Sequence, residues 1–493
     1  MTTARLPLLV LSPLLVTVLL FSGSSHAQAE GAEDTPAAAA EESQDEAVTE
    51  ARAVSEADRE KARDLVARGK ALITDKKAKE ALTLFEEAIE LAPGLAAAWW
   101  EMGWAYWVLE DYAKCVELWE KVLELEPDHK EAPEWIRQTL ETQRMRAAAK
   151  ARQESGSAGH VPAPPEEVGS ARLLLAAVGD TMMGDGGGYL RAGLPPNEGR
   201  DLFTDIAPIV QKADIGFVNL EGPFADGGRQ SKCRSDSKAC YAFRQPSSLA
   251  PRLKEAGFDL VSIANNHAND YGSAGRESTI RVLDELGLYH SGPIGDLASF
   301  ESKGLKIGFV AMATSPNLYR ITRLDEAAVV VSELAASHDI VIVSFHGGAE
   351  GDRALHVPEG TERAFGENRG NLRLFSRTVI DAGADLVLGH GPHVPRGLEL
   401  YKNRLIAYSL GNFATYGFRV TGNKGLGPIL LAYLDEHGAF VEGEIVSTRQ
   451  ANRAGPLLDE ARECVSLMKE LTEADFPETG PVVTTEGKIL PRE

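Results

Sequence analysis

Hydrophobic and polar residues alternate in two different ways along the chain, and the change divides it into two parts. Over residues 58–153, apolar residues recur at a spacing near 3.6 among good helix formers. From residue 172 onward, short apolar runs alternate with longer amphipathic stretches. The first pattern predicts packed helices, and the second predicts an α/β architecture with a largely parallel sheet.

The helical part contains an internal repeat of 34 residues, which is the separation of Pro93 and Pro127. Small and aromatic residues recur at the same places in both copies. The pattern resembles the tetratricopeptide repeat, in which small residues let paired helices approach and aromatic residues fill the groove between them. Counted back from each proline, the matching pairs are Leu65 and Trp99, Gly69 and Gly103, Leu72 and Tyr106, Ala81 and Cys115, Phe85 and Trp119, and Ala88 and Val122.

Two copies are fewer than the three that a stable stack usually needs. We therefore expect the following helix, roughly residues 130–153, to cover the exposed apolar end. The resemblance implies a protein partner for the repeats, with a spacer or a dimerisation element as the alternative. The helical spacing of Trp99, Trp100, Trp104 and Trp107 favours packing over ligand contact.

The N-terminal residues have the three-part form of a secretory signal: a basic residue, an apolar run over residues 6–21, and small residues up to Ala29. The pattern predicts an exported protein, periplasmic or extracellular, that meets membranes only by association. An uncleaved anchor is the alternative, although the run is short and contains two prolines. The domains that follow from composition and spacing are residues 1–29 (signal peptide), 30–54 (disordered acidic, Ala-rich tether), 55–153 (repeats and capping helix), 154–170 (linker), 171–450 (α/β domain) and 451–493 (C-terminal helix and tail).

Composition limits the possible partners. The chain of 493 residues carries 73 acidic and 51 basic side chains, for a net charge of -22. Its average surface repels a phosphate backbone, so nucleic acid is not an expected partner. A mean hydropathy of -0.18 excludes a polytopic membrane protein.

Five predicted strands each run into a side chain that can bind a metal. Open α/β sheets place their ligand crevice at the carboxyl ends of the strands. Taken singly, each residue has an ordinary structural explanation, such as a helix cap, a turn or a structural histidine; together they predict a shared metal site. The strands and side chains are residues 173–178 with Asp180, 215–218 with Glu221, 260–263 with Asn266, 340–345 with His346, and 386–388 with His390 and His393.

The motifs around these residues occur in a recognisable order. They span residues 178–184, 218–223, 264–272 and 389–393, with further matches at 243–244, 256–259 and 409–413. Residues 172–446 resemble the CapA family, whose members are associated with capsule or poly-γ-glutamate synthesis. That family is similar in turn to calcineurin-like metallophosphoesterases. The resemblance implies a calcineurin-like α/β/β/α sandwich after the all-α tetratricopeptide-repeat domain, with a metal centre at its strand ends.

The resemblance also implies roles for individual residues. His267 would protonate the leaving oxygen, and Asp270 would orient the imidazole of His267 or share its proton. The cofactor would be a divalent metal ion, Mn, Zn or Fe, present as one ion or two. The implied metal ligands are Asp180, Glu221, Asn266, His346, His390 and His393.

This chain departs from the phosphoesterase pattern in three places. The usual Asp-x-His opening has Met182 after Asp180, so one imidazole is missing. The usual Gly-Asp motif is replaced by Asn219 and Glu221, and the closing histidines are one residue further apart. One ion, or one tight and one weak, is therefore expected. Asp185 either compensates for the missing histidine or is a loop residue.

Two functions follow as hypotheses. The first is an exported, metal-dependent, phosphoesterase-like hydrolase that acts in synthesis or processing of an anionic envelope polymer, with metal-activated water as nucleophile. The second, motivated by Met182 and Asn219, is a non-catalytic accessory that binds polymer and recruits partners through the repeats. Arg244 and Arg353 either hold an anionic group of the substrate or are ordinary surface arginines.

The remaining features concern cysteines and the C-terminus. Cys233 and Cys240 lie in a polar loop and, in an exported protein, are predicted to form a small disulfide ring. Cys115 and Cys464 have no evident partner. Residues 428–433 and 439–446 predict an antiparallel hairpin, residues 457–471 a final helix, and the chain beyond Pro477 little order.

Overall fold

The computed structural model describes residues 54–74, 77–155, 172–186, 193–233, 240–418, 420–450 and 453–492. The predicted signal peptide, nearly all of the tether and most of the linker lie outside these residues. Within the described helices, none is both long and apolar enough to cross a membrane.

The N-terminal described region is helical, as its 3.6-residue periodicity predicts. Two helix pairs follow each other, and a longer fifth helix packs against the second pair. The helices are α1 (Glu56–Thr74), α2 (Ala78–Leu91), α3 (Ala96–Val108), α4 (Tyr112–Leu125) and α5 (Ala132–Ser155).

The glycines of the repeat lie against aromatic rings of the paired helix. A Cβ placed on Gly69 would lie 2.5 Å from Cε1 of Phe85, and one placed on Gly103 would lie 2.3 Å from Nε1 of Trp119. Both distances are shorter than any real carbon contact, so only glycine permits this helix spacing. The predicted role of the small and aromatic positions is confirmed.

The tryptophans form one packed cluster, which confirms the packing prediction for them. Trp104 and Trp107 are buried, and the ring of Trp104 lies 5.2 Å from that of Trp119. Trp135 of α5 adds a ring 4.7 Å from Trp104. Helix α5 therefore covers the apolar end of the second repeat, as expected for two copies without a third.

The larger sheet contains ten of the described strands. From edge to edge the main path is β18, β19, β16, β15, β1, β2, β3 and β4; β14 pairs with β1, and β17 pairs with β16. The strands from β1 to β4 are parallel, whereas β15 is antiparallel to β1. The members are β1 (Leu173–Met182), β2 (Ile215–Leu220), β3 (Leu260–Ser262), β4 (Tyr289–Ser291), β14 (Asn412–Thr415), β15 (Leu426–Leu434), β16 (Phe440–Gln450), β17 (Pro456–Leu458), β18 (Val482–Val483) and β19 (Lys488–Leu490).

A second sheet contains seven described strands in the order β12, β13, β11, β8, β6 and β5, with β7 paired to β6. Strands β9 (Arg363–Ala364) and β10 (Glu367–Asn368) form a separate two-stranded hairpin. The members of the second sheet are β5 (Ala298–Ser302), β6 (Leu305–Ala313), β7 (Tyr319–Arg320), β8 (Ile340–His346), β11 (Leu386–His390), β12 (Leu398–Tyr401) and β13 (Arg404–Ala407).

The two sheets face each other across one core, and helices cover both outer faces. Along β1, Leu175 and Ala177 belong to the core shared with the second sheet, whereas Ala176 and Val178 pack under the outer helices. This alternation follows from the two-residue period of a strand. The predicted α/β/β/α sandwich behind an all-α repeat domain is confirmed. The remaining helices are α6 (Ala207–Val210), α7 (Pro251–Ala256), α8 (Gly272–Glu285), α9 (Leu324–Ala335), α10 (Leu372–Asp381) and α11 (Glu463–Asp475).

Two arginines, buried Arg453 and partly buried Arg146, connect the repeats to the sandwich. Arg453, which follows β16, donates to the main-chain oxygen of Trp107 at the end of α3 and to the hydroxyl of Tyr416. Arg146 of α5 donates to the main-chain oxygen of Arg453 at 2.8 Å and pairs with Glu110. Tyr416 directly follows β14, which pairs with the end of β1. Through Arg453, the repeat helices are therefore connected to the segment after β14.

The C-terminal region differs in part from the sequence prediction. The hairpin of β15 and β16 is confirmed. The final helix begins at Glu463 rather than near residue 457, because residues 456–458 pair with β16 as β17. The prediction of little order beyond Pro477 is wrong, since β18 and β19 extend the larger sheet. Their apolar side chains Val483 and Ile489 reach the core between the sheets.

Candidate metal centre

The candidate site forms where strand ends of the two sheets meet. Asp180 lies near the end of β1, and Glu221 directly follows β2. In the second sheet, His346 and His390 end β8 and β11 and are partners in the parallel register. His393 lies in the next loop, where its φ of 58° is left-handed. Parallel strands deliver side chains to one edge, which brings these five together.

Asp180 is fully buried and is the most connected acid of the cluster. Its Oδ1 accepts a hydrogen bond of 2.8 Å from Nδ2 of Asn219 and lies 3.4 Å from Nδ1 of His390. Its Oδ2 lies 2.9 Å from Nδ1 of His393. Burial would raise the pKa of this carboxyl, but the contacts with both histidines hold the pKa well below its usual range.

Glu221 faces three imidazoles. Its Oε1 lies 3.7 Å from Nε2 of His393, and 4.0 Å from Nε2 of both His346 and His267. These separations are too long for hydrogen bonds. Burial raises the pKa of Glu221 to about 8, against the opposing effect of His393. The carboxyl therefore lacks enough direct partners to stabilise its charge.

Asp180, Glu221 and His393 can each direct one ligand atom to a common position. These three atoms lie within 4.8 Å of one another. Burial favours neutral His393, but the carboxylates of Glu221 and Asp180 outweigh burial and raise the pKa of His393 to about 10. Two buried acids that raise the pKa of a neighbouring imidazole form a site that favours positive charge.

Several buried polar atoms of the cluster lack a hydrogen-bond partner among the described residues. They include both ring nitrogens of His346, both ring nitrogens of His390, and the side-chain oxygens of Asn219 and Asn266. Buried polar groups are normally paired, so this concentration requires an explanation. Imidazole, amide and carboxylate ligands suit Zn, Mn or Fe, and the residues present therefore fit a divalent ion.

A second polar group adjoins the cluster. Nδ1 of His267 lies 2.7 Å from Oδ2 of Asp270, and its Nε2 faces Glu221. Nζ of Lys232 lies 3.0 Å from Oδ1 of Asp270 and donates to the main-chain oxygen of Asn266 at 2.9 Å. Burial lowers the pKa of His267, and Asp270 opposes this shift. The pairing of His267 with Asp270 agrees with their three-residue spacing.

Sequence reasoning did not assign two residues that line this site. Lys232 contacts His267 and Asp270. The one sequence feature that could have pointed to Lys232 is its position next to Cys233. The disulfide between Cys233 and Cys240 is confirmed, and Cys115 and Cys464 are buried free thiols. Asn412 lies in the matched stretch 409–413; its Oδ1 is 3.1 Å from Nδ1 of His393, and its Nδ2 donates to the main-chain oxygen of His393.

Three other candidates lie elsewhere. Asp185 accepts a long hydrogen bond of 3.4 Å from the main-chain nitrogen of Arg244 and is not part of the three-residue cluster. The guanidinium of Arg244 donates to the main-chain oxygen of Gly186. Arg353 is exposed. None of Asp185, Arg244 and Arg353 lines the cavity above the cluster.

The cluster opens into a cavity of about 920 Å³. One wall is the disulfide loop with Tyr241 and Phe243, a second is the hairpin of β9 and β10 with Phe365 at its tip, and a third contains Phe418 after β14. The ring of Phe243 lies 4.6 Å from that of His267. The space exceeds the needs of a single phosphate or carboxylate and suits a ligand that extends beyond the cluster.

Fold and site together define the class of the protein: an α/β/β/α sandwich with an acid and imidazole cluster at its strand ends. Residues 174–416 match the family "Bacterial capsule synthesis protein PGA_cap", and residues 96–129 match the tetratricopeptide repeat. Over residues 174–416 the chain thus resembles the CapA family, and it contains a tetratricopeptide repeat.

Curated relatives are similar to the same region. The "Capsule biosynthesis protein CapA" of Bacillus anthracis is 26% identical over 272 residues, which is 51% of this chain and 62% of that protein. The "PGA biosynthesis protein CapA" of Bacillus subtilis is 28% identical over 277 residues, 52% of this chain and 67% of that protein. A "Probable polyglutamine synthesis accessory protein" of Mycobacterium tuberculosis is 27% identical over 232 residues, 40% of this chain and 55% of that protein.

These matches cover parts of the proteins concerned. The chain spans less than two thirds of the length of the first of these relatives. Among solved structures, purple acid phosphatase PPD1 from yellow lupin aligns with 60% of this chain and 55% of its own, at 10% identity and a TM-score of 0.31. At that score the alignment supports no inference about the site.

Proposed function

We propose that this protein is an exported, metal-dependent, phosphoesterase-like hydrolase that acts in synthesis or processing of an anionic cell-envelope polymer, a capsule or poly-γ-glutamate. The observation that carries the proposal is the convergence of Asp180, Glu221 and His393, each with one ligand atom within 4.8 Å of the others. The names of the curated relatives supply the polymer, and the family supplies the role in its synthesis.

The proposed ligands are those that the strand ends bring together, and a divalent ion there would supply Lewis acidity and an activated water. The unpartnered ring nitrogens of His346 and His390 and the oxygen of Asn266 would complete the set around Asp180, Glu221 and His393. Asn219 orients Asp180 through its hydrogen bond. Ligands supported by outer hydrogen bonds are held in fixed orientations, which strengthens metal binding.

His267 is the proposed general acid. Its Nε2 faces the cluster at Glu221, and its Nδ1 is held 2.7 Å from Asp270. Because Nδ1–H donates to Asp270, Nε2 carries a proton only when the imidazole is positively charged. Asp270 favours that charged form, in which Nε2–H would donate to a departing oxygen or nitrogen. Lys232 pairs with the other oxygen of Asp270 and keeps that carboxylate in place.

Metal analysis of the purified full chain tests the proposed centre. We expect stoichiometric metal in the wild type and its loss in His390→Ala and His393→Ala. The control is His356→Ala, because His356 is an exposed histidine that pairs with Asp475 away from the cluster. Metal that remains in both cluster variants would disprove the ligand assignment.

A turnover screen tests the hydrolase. Phosphomonoesters, phosphodiesters and γ-glutamyl amides would be supplied with added Mn or Zn. Turnover that disappears in His267→Ala, while bound metal is retained, supports the proposed acid. No turnover of any substrate by the metal-loaded protein would reject catalysis.

The second candidate is a non-catalytic accessory that binds polymer and recruits a protein partner through the repeats. Met182 is buried at the cavity, where a phosphoesterase would carry an imidazole, and the relative from Mycobacterium tuberculosis is named an accessory protein. Polymer binding without turnover, together with capture of a synthesis protein that needs the repeats, would favour this candidate. Tetratricopeptide repeats generally bind proteins.

A further inference from the structure

Arg369 lies on the cavity wall with hydrogen-bond donors left unused. Its side chain is 3% exposed, and its Nη2 donates to Oε1 of Glu350 at 2.9 Å. Its Nε lies 3.2 Å from Glu367, but neither Nε nor Nη1 has a hydrogen-bond partner among the described residues. A buried guanidinium normally uses its donors, so the unused ones indicate a missing ligand.

The backbone holds Arg369 beside the candidate metal centre. Its main-chain nitrogen donates to Glu362, and its main-chain oxygen accepts from Gly348, two residues after His346. The residue therefore sits at the base of the β9 and β10 hairpin and is tied to the segment that follows a proposed metal ligand. Its guanidinium is fixed in place before any ligand arrives.

A second cation, Lys424, lines the same cavity. It is half-buried and, unlike Arg369, has no acidic partner among the described residues. Its main-chain oxygen accepts from Asn412, the residue that contacts His393. Lys232, the third cation of the cavity, is already occupied by Asp270 and the main chain. The unused Nε and Nη1 of Arg369 and the ammonium group of Lys424 thus remain available to a ligand.

We propose that Arg369 and Lys424 form a carboxylate-binding subsite that takes a free carboxylate of a glutamyl chain whose reacting bond lies at the metal centre. This inference rests on the proposed function for the class of polymer. A chain with one carboxylate on every residue can place one on the subsite while a neighbouring bond reaches the cluster. The cavity volume of about 920 Å³ accommodates such a segment.

The surroundings of Arg369 favour a carboxylate over a phosphate. Glu350 and Glu367 lie 2.9 Å and 3.2 Å from its guanidinium and reduce the local positive potential. A singly charged carboxylate meets less repulsion there than a doubly charged phosphate would. The planar guanidinium also matches the two oxygens of a carboxylate.

Binding of labelled oligo-γ-glutamate to the full chain, measured by fluorescence anisotropy, tests the subsite. Arg369→Met should weaken binding about tenfold or more, because a charge-assisted pair of hydrogen bonds is lost. Arg369→Lys should fall in between, since it keeps the charge but loses the planar donors. Lys424→Met should weaken binding about threefold, as for a single partly exposed charge. Arg363→Met is the matched control from the same hairpin: Arg363 is exposed, does not line the cavity, and its loss should leave affinity unchanged.

Three outcomes would overturn the subsite. The wild type does not bind oligo-γ-glutamate, the Arg369 and Lys424 variants bind it as tightly as the wild type does, or polyphosphate displaces the labelled ligand better than unlabelled oligo-γ-glutamate does. Lys424→Met keeps the test decisive if an Arg369 variant unfolds, because Lys424 is only half-buried. The outcome is separable from that of the proposed function. Bound metal and turnover with normal affinity in these variants would reject only the subsite, whereas carboxylate-dependent binding without turnover would reject only catalysis.

Discussion

Asn219 donates a hydrogen bond of 2.8 Å from its side-chain amide to Oδ1 of Asp180, and both side chains are fully buried. The amide therefore supports an acid of the cluster through a direct hydrogen bond. Its own oxygen has no hydrogen-bond partner in the described structure. One residue thus both orients a proposed ligand and offers a donor atom itself.

Replacing Asn219 by leucine should destabilise the metal-free protein by about 1–3 kcal/mol, because a buried carboxylate loses a donor. Metal affinity should fall as well. Denaturant unfolding with and without Mn or Zn measures both effects. Asn219→Asp is the informative companion: without an ion it places two buried carboxylates side by side, and excess ion should recover its stability. Unchanged unfolding of Asn219→Leu would contradict the proposed support of Asp180.

Arg396 connects the loop after the closing histidines to the segment after His346. It is fully buried and forms two parallel hydrogen bonds with Glu362, at 2.9 Å and 2.8 Å, and a third to the main-chain oxygen of Ala354. We expect Arg396→Met to cost about 3–5 kcal/mol of unfolding free energy, because Glu362 is left as an unpaired buried charge.

The double variant Arg396→Met with Glu362→Met is the control, measured by the same unfolding experiment. It removes both charges and should cost less than the sum of the two single changes. Additive losses would show that the pair does not act as a unit. Lys402 and Asp381 form an exposed ion pair that serves as a comparison. Replacing either residue by methionine should lower the unfolding free energy by less than about 1 kcal/mol.

Asp385, just before β11, gives the fold a predictable response to pH. Burial raises the pKa of this carboxyl to about 6, although it accepts from Val341 and pairs with Arg404. The folded state binds the proton of Asp385 more tightly than the unfolded state does. Protonation of Asp385 therefore stabilises the fold below about pH 4, and this stabilisation is lost as pH rises through 6. Asp385→Asn should therefore gain up to about 3 kcal/mol relative to the wild type between pH 4 and 7.

Urea unfolding of both proteins across this pH range makes the measurement. Asp339→Asn is a matched control, since Asp339 accepts from Lys306 in the same manner just before β8 but is exposed. This exposed control tests whether removing an acid that accepts from the main chain, without burial, changes the unfolding free energy. Parallel curves for the wild type and Asp385→Asn would contradict the raised pKa.

Local sequence was sufficient where one period or one motif decides the structure. The 34-residue repeat predicted the close contacts of Gly69 and Gly103 with aromatic rings, and the strand-end motifs predicted the acids and histidines that converge. The place of Cys233 and Cys240 in one polar loop, with the predicted export, predicted their bridge. The contacting residues of the repeat and of the disulfide are close in sequence. The acids and histidines follow parallel strands, whose carboxyl ends lie at the same edge of a sheet.

Local sequence failed where distant segments meet. The apolar runs before Asp180 and His390 look alike, yet they belong to different sheets. Lys232 has no pattern that directs it to Asp270. The sequence offers Arg244 as a residue that could hold an anion, whereas the structure places Arg369 and Lys424 in the cavity instead.

The sequence by itself determined the helical repeat, the parallel strands and the identity of the proposed metal ligands, because periodicity and strand-end chemistry are local properties of the chain. Only the tertiary structure decided that the ligands come from two facing sheets, that the C-terminal strands complete one of these sheets, and which cations face the cavity. Those outcomes depend on burying the apolar faces of both sheets against each other, and that packing joins residues hundreds of positions apart.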